Sequence, residues 1–238
     1  MKKITSAISA IAFIFAFAAC TPENNNRGDD QKFSDMIVDL GIVMTREDGT
    51  TYNLYWAKSN LCENGLCANP EDYGDYYAWG ETKPKSDFSW SSYKWCNGNS
   101  NSLTKYNTSS EYGTVDNKTA LDLADDPARA TLGGKWRLPN EAEWDALMRQ
   151  CTWTWTTING KDGRLGTAQN GNSIFLPAAG FMGYDKLRDD GSCGYYWSPV
   201  LCTEETPEKA YGTYFHSTHY YWTDLNRCYG FSVRPVSE

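Results

Sequence analysis

The segment Gly133–Cys151, GGKWRLPNEAEWDALMRQC, carries the clearest helix signal in the chain and constrains its fold most. Asn140 is suited to cap the helix, Glu143 three residues later completes a capping box, and Pro139 blocks an earlier start. The apolar residues of the helix recur at i, i+3, i+4 and i+7, on one face: Trp144, Leu147, Met148 and Cys151. Because such a stripe must be buried, the rest of the chain has to supply a surface that covers it.

The other apolar residues are mostly aromatic or β-branched and occur in short runs between Gly, Asn, Ser and Pro, which predicts short β-strands. A hairpin is predicted from Ile37–Met44 and Thr51–Ala57, which flank the turn residues Glu47–Gly49. A second, short helix should begin at an Asp126 cap with Pro127 in its first turn, and end at Gly133. Further strands are predicted at Trp153–Ile158, Ile174–Leu176, Tyr195–Ser198, Ala210–Ser217 and Tyr229–Val236. The chain is therefore predicted to be an α+β protein.

A length of 238 residues suits one domain with a substantial core, or at most two small ones. The formal net charge is −8, and it becomes −10 if a leader containing Lys2 and Lys3 is removed. An acidic surface without a basic stripe repels a polyanion, so nucleic acid is not an expected partner. The ten Trp and sixteen Tyr residues lie largely in Gly-, Asn- and Ser-rich segments. They fit either an exposed recognition surface or the aromatic packing of irregular loops.

The first twenty residues are typical of a bacterial secretion signal. Lys2 and Lys3 precede an apolar run, Ile8–Ala19, that is too short for a permanent membrane span. The residues just before Cys20 resemble a lipobox, which predicts cleavage there and lipidation of the cysteine; simple secretion is the alternative. The lipid would anchor the protein to the outer membrane, on its cell-surface or periplasmic face, as its sole membrane contact. We divide the chain into a signal peptide (1–20), a flexible polar tether (21–35) and a folded domain (36–238).

The spacing of the cysteines predicts one local disulfide. Cys62 and Cys67 flank an Asn-Gly turn, and exported proteins are oxidised; zinc is the less favoured alternative, because no second Cys/His pair lies close in sequence. Seven cysteines remain without Cys20, so at least one thiol stays free or pairs between molecules. We expect Cys151 to be a buried free thiol and Cys228 to be a surface residue without a special role.

Residues suited to catalysis are scarce in this chain. On one continuous strand the only two histidines, His216 and His219, would lie on opposite faces, which disfavours a shared metal ion unless the segment turns. No G-x-S-x-G elbow accompanies either histidine. Asp122, Asp125 and Asp126 lack the spacing of a calcium loop and fit capping and solvation better. We therefore expect no enzymatic activity, no cofactor and no metal ion.

Six sequence blocks, spread in order over about Val38–Val236, are characteristic of one protein family. They are YGDYYAWGET from Tyr73, YKWCNG from Tyr93, WRLPNEAEW from Trp136, NSIFLPAAG from Asn172, GYYWS from Gly194 and SVRPV from Ser232. In these residues and their order the chain resembles the Fibrobacter succinogenes major paralogous domain family. The resemblance implies a C-type-lectin-like fold, with two small antiparallel sheets, two flanking helices, long loops, and paired N- and C-terminal strands. It implies no particular reaction, because the family consists largely of gut-bacterial lipoproteins without an assigned one.

The same fold carries formylglycine-generating enzymes and the target proteins of diversity-generating retroelements, whose variable C-terminal segment binds the ligand. The matching segment of this chain is Ser198–Phe231. By this analogy we expect the following residues to contact a ligand: Tyr214, His216, Thr218, His219, Tyr220, Tyr221, Trp222, Asp224, Asn226, Arg227 and Tyr229. The reactive cysteine pair of formylglycine-generating enzymes has no match among Cys193, Cys202 and Cys228.

These observations favour a lipid-anchored, monomeric recognition module whose C-terminal aromatic loop face binds a protein or a glycan. True C-type lectins bind sugars through Glu-Pro-Asn-like and Trp-Asn-Asp-like calcium ligands, and the C-terminal half contains neither set. Sugar binding would therefore depend on stacking against Tyr and Trp rings. Two alternatives stay open: an enzyme of the formylglycine-generating type, and an accessory or tip subunit of a surface fibre.

Overall fold

The computed structural model describes residues 32–203 and 206–238. The predicted signal peptide, the lipidation site Cys20 and most of the predicted tether lie outside these residues. Within the two described ranges, no helix is long and apolar enough to cross a membrane.

The chain folds into small antiparallel sheets with few helices, in agreement with the predicted α+β class. The α-helices are α1 (Pro127–Leu132) and α2 (Glu141–Gln150). The strands are β1 (Ile37–Thr45), β2 (Thr51–Ala57), β3 (Leu61–Cys62), β4 (Gly65–Leu66), β5 (Tyr77–Ala78), β6 (Cys151–Ile158), β7 (Lys161–Ala168), β8 (Ser173–Pro177), β9 (Phe181–Gly183), β10 (Lys186–Arg188), β11 (Gly194–Leu201), β12 (Lys209–Phe215), β13 (Tyr220–Asn226), β14 (Gly230–Phe231) and β15 (Val236–Ser237).

These strands form five small sheets in the described part of the chain, rather than the two that we predicted. The strand orders are β1-β2-β15, β3-β4, β6-β7-β8, β10-β9-β14-β5 and β11-β12-β13. Many of the strands span only two or three residues because Gly, Asn, Ser and Pro interrupt the apolar runs between them. The sheet area is therefore divided into several pieces.

Local sequence signals produce the elements that they predicted. The first hairpin pairs Thr45 with Thr51 across the predicted turn. At the start of α2 the Asn140 side chain accepts a hydrogen bond from the Glu143 N–H (3.0 Å), and the Glu143 carboxylate accepts one from the Asn140 N–H (2.9 Å). The Asp126 side chain caps α1. The capping box and both helix starts are thus confirmed.

The apolar stripe of α2 is buried in a first core, as the sequence required. The Trp144 ring lies 4.8 Å from the ring of Trp56 on β2, and Leu147 is fully buried. Residues from seven strands complete this core: Leu40 and Ile42 of β1, Leu54 of β2, Ala168 of β7, Ile174 and Leu176 of β8, Tyr196 of β11, Phe215 of β12 and Val236 of β15. Cys151 lies in the same core as a buried free thiol, as predicted.

A second core lies on the other face of the β11-β12-β13 sheet. Tyr196 of β11 and Phe215 of β12 belong to the first core, whereas their strand neighbours Trp197, Leu201 and Ala210 belong to the second. Alternate residues of a strand point to opposite faces, so this sheet contacts both cores. The contact with the first core extends to the β12–β13 turn, because Phe215, the last residue of β12, is fully buried in that core.

The C-terminal segment differs from its prediction as one strand over Tyr229–Val236. It forms β14 and β15, and Val236 of β15 pairs with Trp56 of β2. Between the two strands the Arg234 guanidinium is fully buried and donates hydrogen bonds to Asn60 Oδ1 (2.8 Å) and to the carbonyls of Phe175 (2.9 Å) and Ala57 (3.1 Å). The strand is interrupted at this arginine, which connects the C-terminal segment to residues 57–60 and to β8.

Glu143 is the centre of a buried polar cluster at the start of α2. Its side chain has no exposed surface. Both carboxylate oxygens accept hydrogen bonds from Arg137, at 2.6 and 2.7 Å, and one also accepts from the Tyr52 hydroxyl at 2.9 Å. Burial, followed by the neighbouring Glu143 carboxylate, raises the pKa of Tyr52 to about 12.

The stability of the protein is expected to fall as the pH rises from 10 to about 12. Burial and a hydrogen bond to Asp125 raise the pKa of Tyr106 to about 12, and Tyr52 behaves similarly. The unfolded chain loses these phenol protons near pH 10, so the stabilisation is complete below pH 10 and is lost towards pH 12. Arg234 has the opposite effect on stability over this pH range. Burial of its charge lowers its pKa to about 10, so loss of its proton removes the free-energy cost of burying that charge.

The measurement is the urea midpoint as a function of pH, for the wild type and a Tyr106→Phe variant. We expect the midpoint to fall through this range, and to fall less in the variant, which has no phenol proton to lose at that position. A midpoint that stays constant, or the same fall in both proteins, would contradict this assignment.

Candidate functional site

The predicted ligand-binding segment contains the hairpin of β12 and β13 in the β11-β12-β13 sheet. Strands β12 and β13 pair in register from Lys209 with Asn226 to Phe215 with Tyr220. The His216 N–H then donates a hydrogen bond to the His219 carbonyl (3.1 Å), which closes a turn over Ser217 and Thr218. We predicted a strand over Ala210–Ser217; β12 ends two residues earlier, at Phe215, and the strand β13 beyond the turn was not predicted.

Three tyrosines lie side by side across this sheet, one from each strand. Tyr195 of β11 is directly opposite Tyr214 of β12, which is directly opposite Tyr221 of β13. The ring centroids of Tyr195 and Tyr214 are 4.9 Å apart, and those of Tyr214 and Tyr221 are 5.9 Å apart. Opposite residues of an antiparallel pair share a face, so the three rings form one continuous row.

Other aromatic rings extend this row at both ends. At the hairpin end the rings of His219 and His216 lie 6.0 and 6.1 Å from Tyr221. At the other end Phe181 lies 4.9 Å from Tyr195, and Tyr229 lies 5.6 Å from Phe181 and 6.4 Å from Tyr184. We call the whole set the aromatic ribbon: Tyr184, Tyr229, Phe181, Tyr195, Tyr214, Tyr221, His216 and His219.

The aromatic ribbon lies at the protein surface. Tyr184 and Tyr221, near its two ends, are 55% and 47% exposed, and His219 is exposed as well. The remaining members are half-buried. The inner rings are therefore fixed by the protein on one side and accessible on the other, as an aromatic contact surface requires.

The phenols in the middle of the ribbon remain protonated at neutral pH. Burial, then the side chain of Asp189, raises the pKa of Tyr195, whose hydroxyl donates to Asp189 Oδ2 at 3.1 Å. Burial and the Cys193 thiol, whose sulfur is 3.6 Å from the Tyr214 hydroxyl, raise the pKa of Tyr214 to about 12. These hydroxyls can therefore donate as well as accept hydrogen bonds.

Other predicted ligand-binding residues lie on the opposite face of the same hairpin. The Tyr220 hydroxyl donates to Asp145 Oδ1 on α2 (3.0 Å), and the Trp222 ring stacks 5.7 Å from Tyr211. Asp224 is paired with Lys209 (2.9 Å). These side chains are half-buried and contact their own domain. The predicted set is thus divided between two faces of the sheet.

Two predictions about the end of the segment are wrong. Arg227 is fully buried, where its guanidinium donates to the carbonyls of Tyr106 (2.6 Å), Pro207 (2.9 Å) and Lys105 (3.0 Å), so it does not reach the surface. Cys228 is buried as well, and burial raises the pKa of its thiol to about 12. Of the remaining residues in the predicted set, Thr218 is exposed in the turn and Asn226 is half-buried at the end of β13.

The structure brings His216 and His219 together, because the segment turns between them, which is the exception that the sequence argument allowed. Their rings are 5.6 Å apart because the chain turns between them and continues the pairing register of the hairpin. The Nδ1 atoms of both rings contact Thr218 Oγ1, at 3.2 and 2.8 Å.

The cysteines of the described chain form one disulfide and five free thiols. The predicted disulfide between Cys62 and Cys67 is present. The free thiols are Cys96, Cys151, Cys193, Cys202 and Cys228. Over residues 32–203 and 206–238, no group of three or more His, Cys, Asp and Glu side chains is arranged to hold a metal ion.

Several ribbon residues were not identified from the sequence. Tyr195 precedes Tyr196 and Trp197, and in an all-aromatic run alternation alone cannot tell which residue faces outwards. Phe181 and Tyr184 lie in a Gly-rich segment with no periodic signal.

Two grooves, of about 430 and 540 Å³, lie elsewhere, around Met36 and Leu132, and share no residue with the ribbon.

Comparisons of the chain with protein families, with curated proteins and with solved structures find no match.

Proposed function

We propose that this protein is a recognition module, anchored by a lipid on Cys20, that binds a protein or a glycan through the aromatic ribbon without catalysing a reaction. The observation that carries the proposal is the register of Tyr195, Tyr214 and Tyr221, which forms one partly exposed row from three strands. A row fixed by the pairing of a sheet is preorganised, so little conformational entropy is lost when a ligand binds.

The chemistry of the ribbon suits a partner that offers both apolar faces and polar groups. Tyrosine rings supply large, rigid contact areas with few rotatable bonds, and their hydroxyls form hydrogen bonds at the edge. The Tyr195 hydroxyl donates to Asp189 Oδ2 within the protein and is left as an acceptor, and the Tyr214 hydroxyl lies beside the Cys193 thiol. Protein side chains and the apolar faces of sugar rings both meet this description.

We further propose that the domain has the C-type-lectin-like fold of the family that the sequence blocks resemble. Three features support this proposal: the C-terminal strand β15 pairs with the N-terminal hairpin, α2 packs against that sheet, and the candidate binding surface lies in the C-terminal third. The outer-membrane location is supported by the lipobox-like sequence before Cys20 and by the polar tether that follows it.

An array of glycans and cell-surface proteins tests the proposed function. The full chain is applied as the wild type and as a Tyr184→Ala/Tyr221→Ala variant, which removes the two most exposed rings of the ribbon. We expect the wild type to bind at least one member and the variant to lose that signal, by tenfold or more if each lost ring contributes about 1 kcal/mol. Both residues are exposed, so the variant should keep the wild-type urea midpoint. Undiminished binding by the folded variant would contradict the proposal.

A further inference from the structure

The two histidines at the tip of the hairpin form a cross-strand pair. The register that pairs Phe215 with Tyr220 continues one step further, to His216 and His219, whose backbones share a 3.1 Å hydrogen bond. Directly opposite residues of an antiparallel pair have Cβ atoms about 4.5–5.5 Å apart and point to the same side. The backbone therefore fixes both imidazole rings on the ribbon face, with their centroids 5.6 Å apart.

The two rings also direct the same atom, Nδ1, towards one position. That position is held by the Thr218 hydroxyl, which is 3.2 Å from Nδ1 of His216 and 2.8 Å from Nδ1 of His219. Thr218 and His219 are exposed, so the hydroxyl can rotate away without leaving a buried group unpaired. Nδ1 of His216 also accepts a hydrogen bond from the Thr218 N–H (3.3 Å), which an ion between the rings would displace. Each nitrogen would then approach the ion to about 2.0–2.1 Å by rotation of its side chain.

We propose that His216 and His219 bind one divalent ion of the later first-row transition metals, such as Zn²⁺, Ni²⁺ or Cu²⁺. Imidazole nitrogen is a preferred ligand of these ions, whereas calcium and magnesium prefer oxygen. Two protein ligands leave several coordination positions of the ion open. Tyr221 stacks 6.0 Å from His219, so the ion lies at the end of the aromatic ribbon. A carboxylate or a pair of hydroxyls on a ligand that covers the ribbon can then complete its coordination, an extension that depends on the proposed function.

The test uses the metal ions alone, without any other ligand, so its result does not depend on the proposed function. Ni²⁺ and Cu²⁺ are titrated into the full chain by calorimetry, and the Cu²⁺ complex is examined by electron paramagnetic resonance. We expect one ion per chain and splitting from two imidazole nitrogens. A His219→Gln variant should bind at least tenfold more weakly and show one nitrogen, because even supporting residues of metal sites contribute about 10–100-fold. A Thr218→Val variant, which keeps both rings, should retain the two-nitrogen signal.

A His216→Gln/His219→Gln variant provides the decisive control. Cys96 and Cys193 are half-buried free thiols and offer other places for such ions. If the double variant binds Cu²⁺ as tightly as the wild type, the ion is bound elsewhere and the proposal is overturned. A ligand found on the array is then tested with and without EDTA. Loss of binding in EDTA supports the role of the ion in ligand binding, and unchanged binding restricts the proposal to the metal site.

Discussion

A Glu143→Ala variant is expected to lose about 3 to 5 kcal/mol of unfolding free energy, the usual cost of breaking a buried ion pair. The substitution removes a fully buried carboxylate that accepts two hydrogen bonds from Arg137 and one from Tyr52. It also removes the half of the capping box that binds the Asn140 N–H. The large effect arises because the Arg137 charge stays partly buried with its main partner gone.

Urea denaturation measures this loss, and two further variants distinguish its causes. Glu143→Gln keeps the shape and part of the hydrogen bonding and should lose less than Glu143→Ala. Glu141→Ala, an exposed position in the same helical turn, should lose less than about 1 kcal/mol, the usual limit for a charge near a helix end. Equal losses at Glu141 and Glu143 would show that the negative charge near the helix end, rather than the buried pair, dominates.

An Arg234→Met variant is expected to destabilise the protein by a similar amount, about 3 to 5 kcal/mol, although methionine fills much of the same space. The guanidinium donates to Asn60 Oδ1 and to the carbonyls of Ala57 and Phe175, all within the interior. Each buried acceptor that loses its donor costs about 1 to 3 kcal/mol. These acceptors belong to two segments, the end of β2 with the residues just after it and β8, so the substitution should loosen their junction with the C-terminal segment.

The matched control for this variant is Arg149→Met. The Arg149 side chain is 75% exposed and forms an ion pair with Asp145 on the same helix. Exposed pairs of this kind contribute about 0 to 1 kcal/mol, so the urea midpoint should change little. An Arg234→Met protein as stable as the Arg149→Met protein would show that the buried acceptors find other donors.

Features encoded within a few neighbouring residues were predictable from the sequence. The Asn140–Glu143 capping box, the first hairpin and the Cys62–Cys67 disulfide each depend on residues close in the chain. The stripe on α2 correctly predicted a buried face, because helical periodicity determines which residues lie together. In these cases the geometry is local, so the sequence was sufficient.

The candidate site depends on long-range pairing that no local signal encodes. The turn at Ser217–Thr218 lacks the Gly, Asn or Asp residues that usually indicate a tight hairpin, so neither the hairpin nor the strand β13 beyond it was predicted. Without that turn, the pairing of Tyr214 with Tyr221 and of His216 with His219 could not be foreseen. Arg227 was expected to contact a ligand by analogy with the variable C-terminal segment of the fold, but the distant carbonyls of Lys105, Tyr106 and Pro207 hold it in the interior.

The most direct test of the recognition surface compares two neighbouring residues of β13 that face opposite sides of the sheet. Tyr221 belongs to the aromatic ribbon, whereas Trp222 stacks on Tyr211 on the other face. Affinity is measured for the strongest binder on the array with the wild type, Tyr221→Ala and Trp222→Ala, each shown to be folded by its urea midpoint. We predict that Tyr221→Ala weakens binding by about fivefold, the equivalent of about 1 kcal/mol for one ring, while Trp222→Ala leaves it unchanged. Equal weakening by both variants, or weakening by Trp222→Ala alone, would contradict the assignment of ligand binding to the aromatic ribbon.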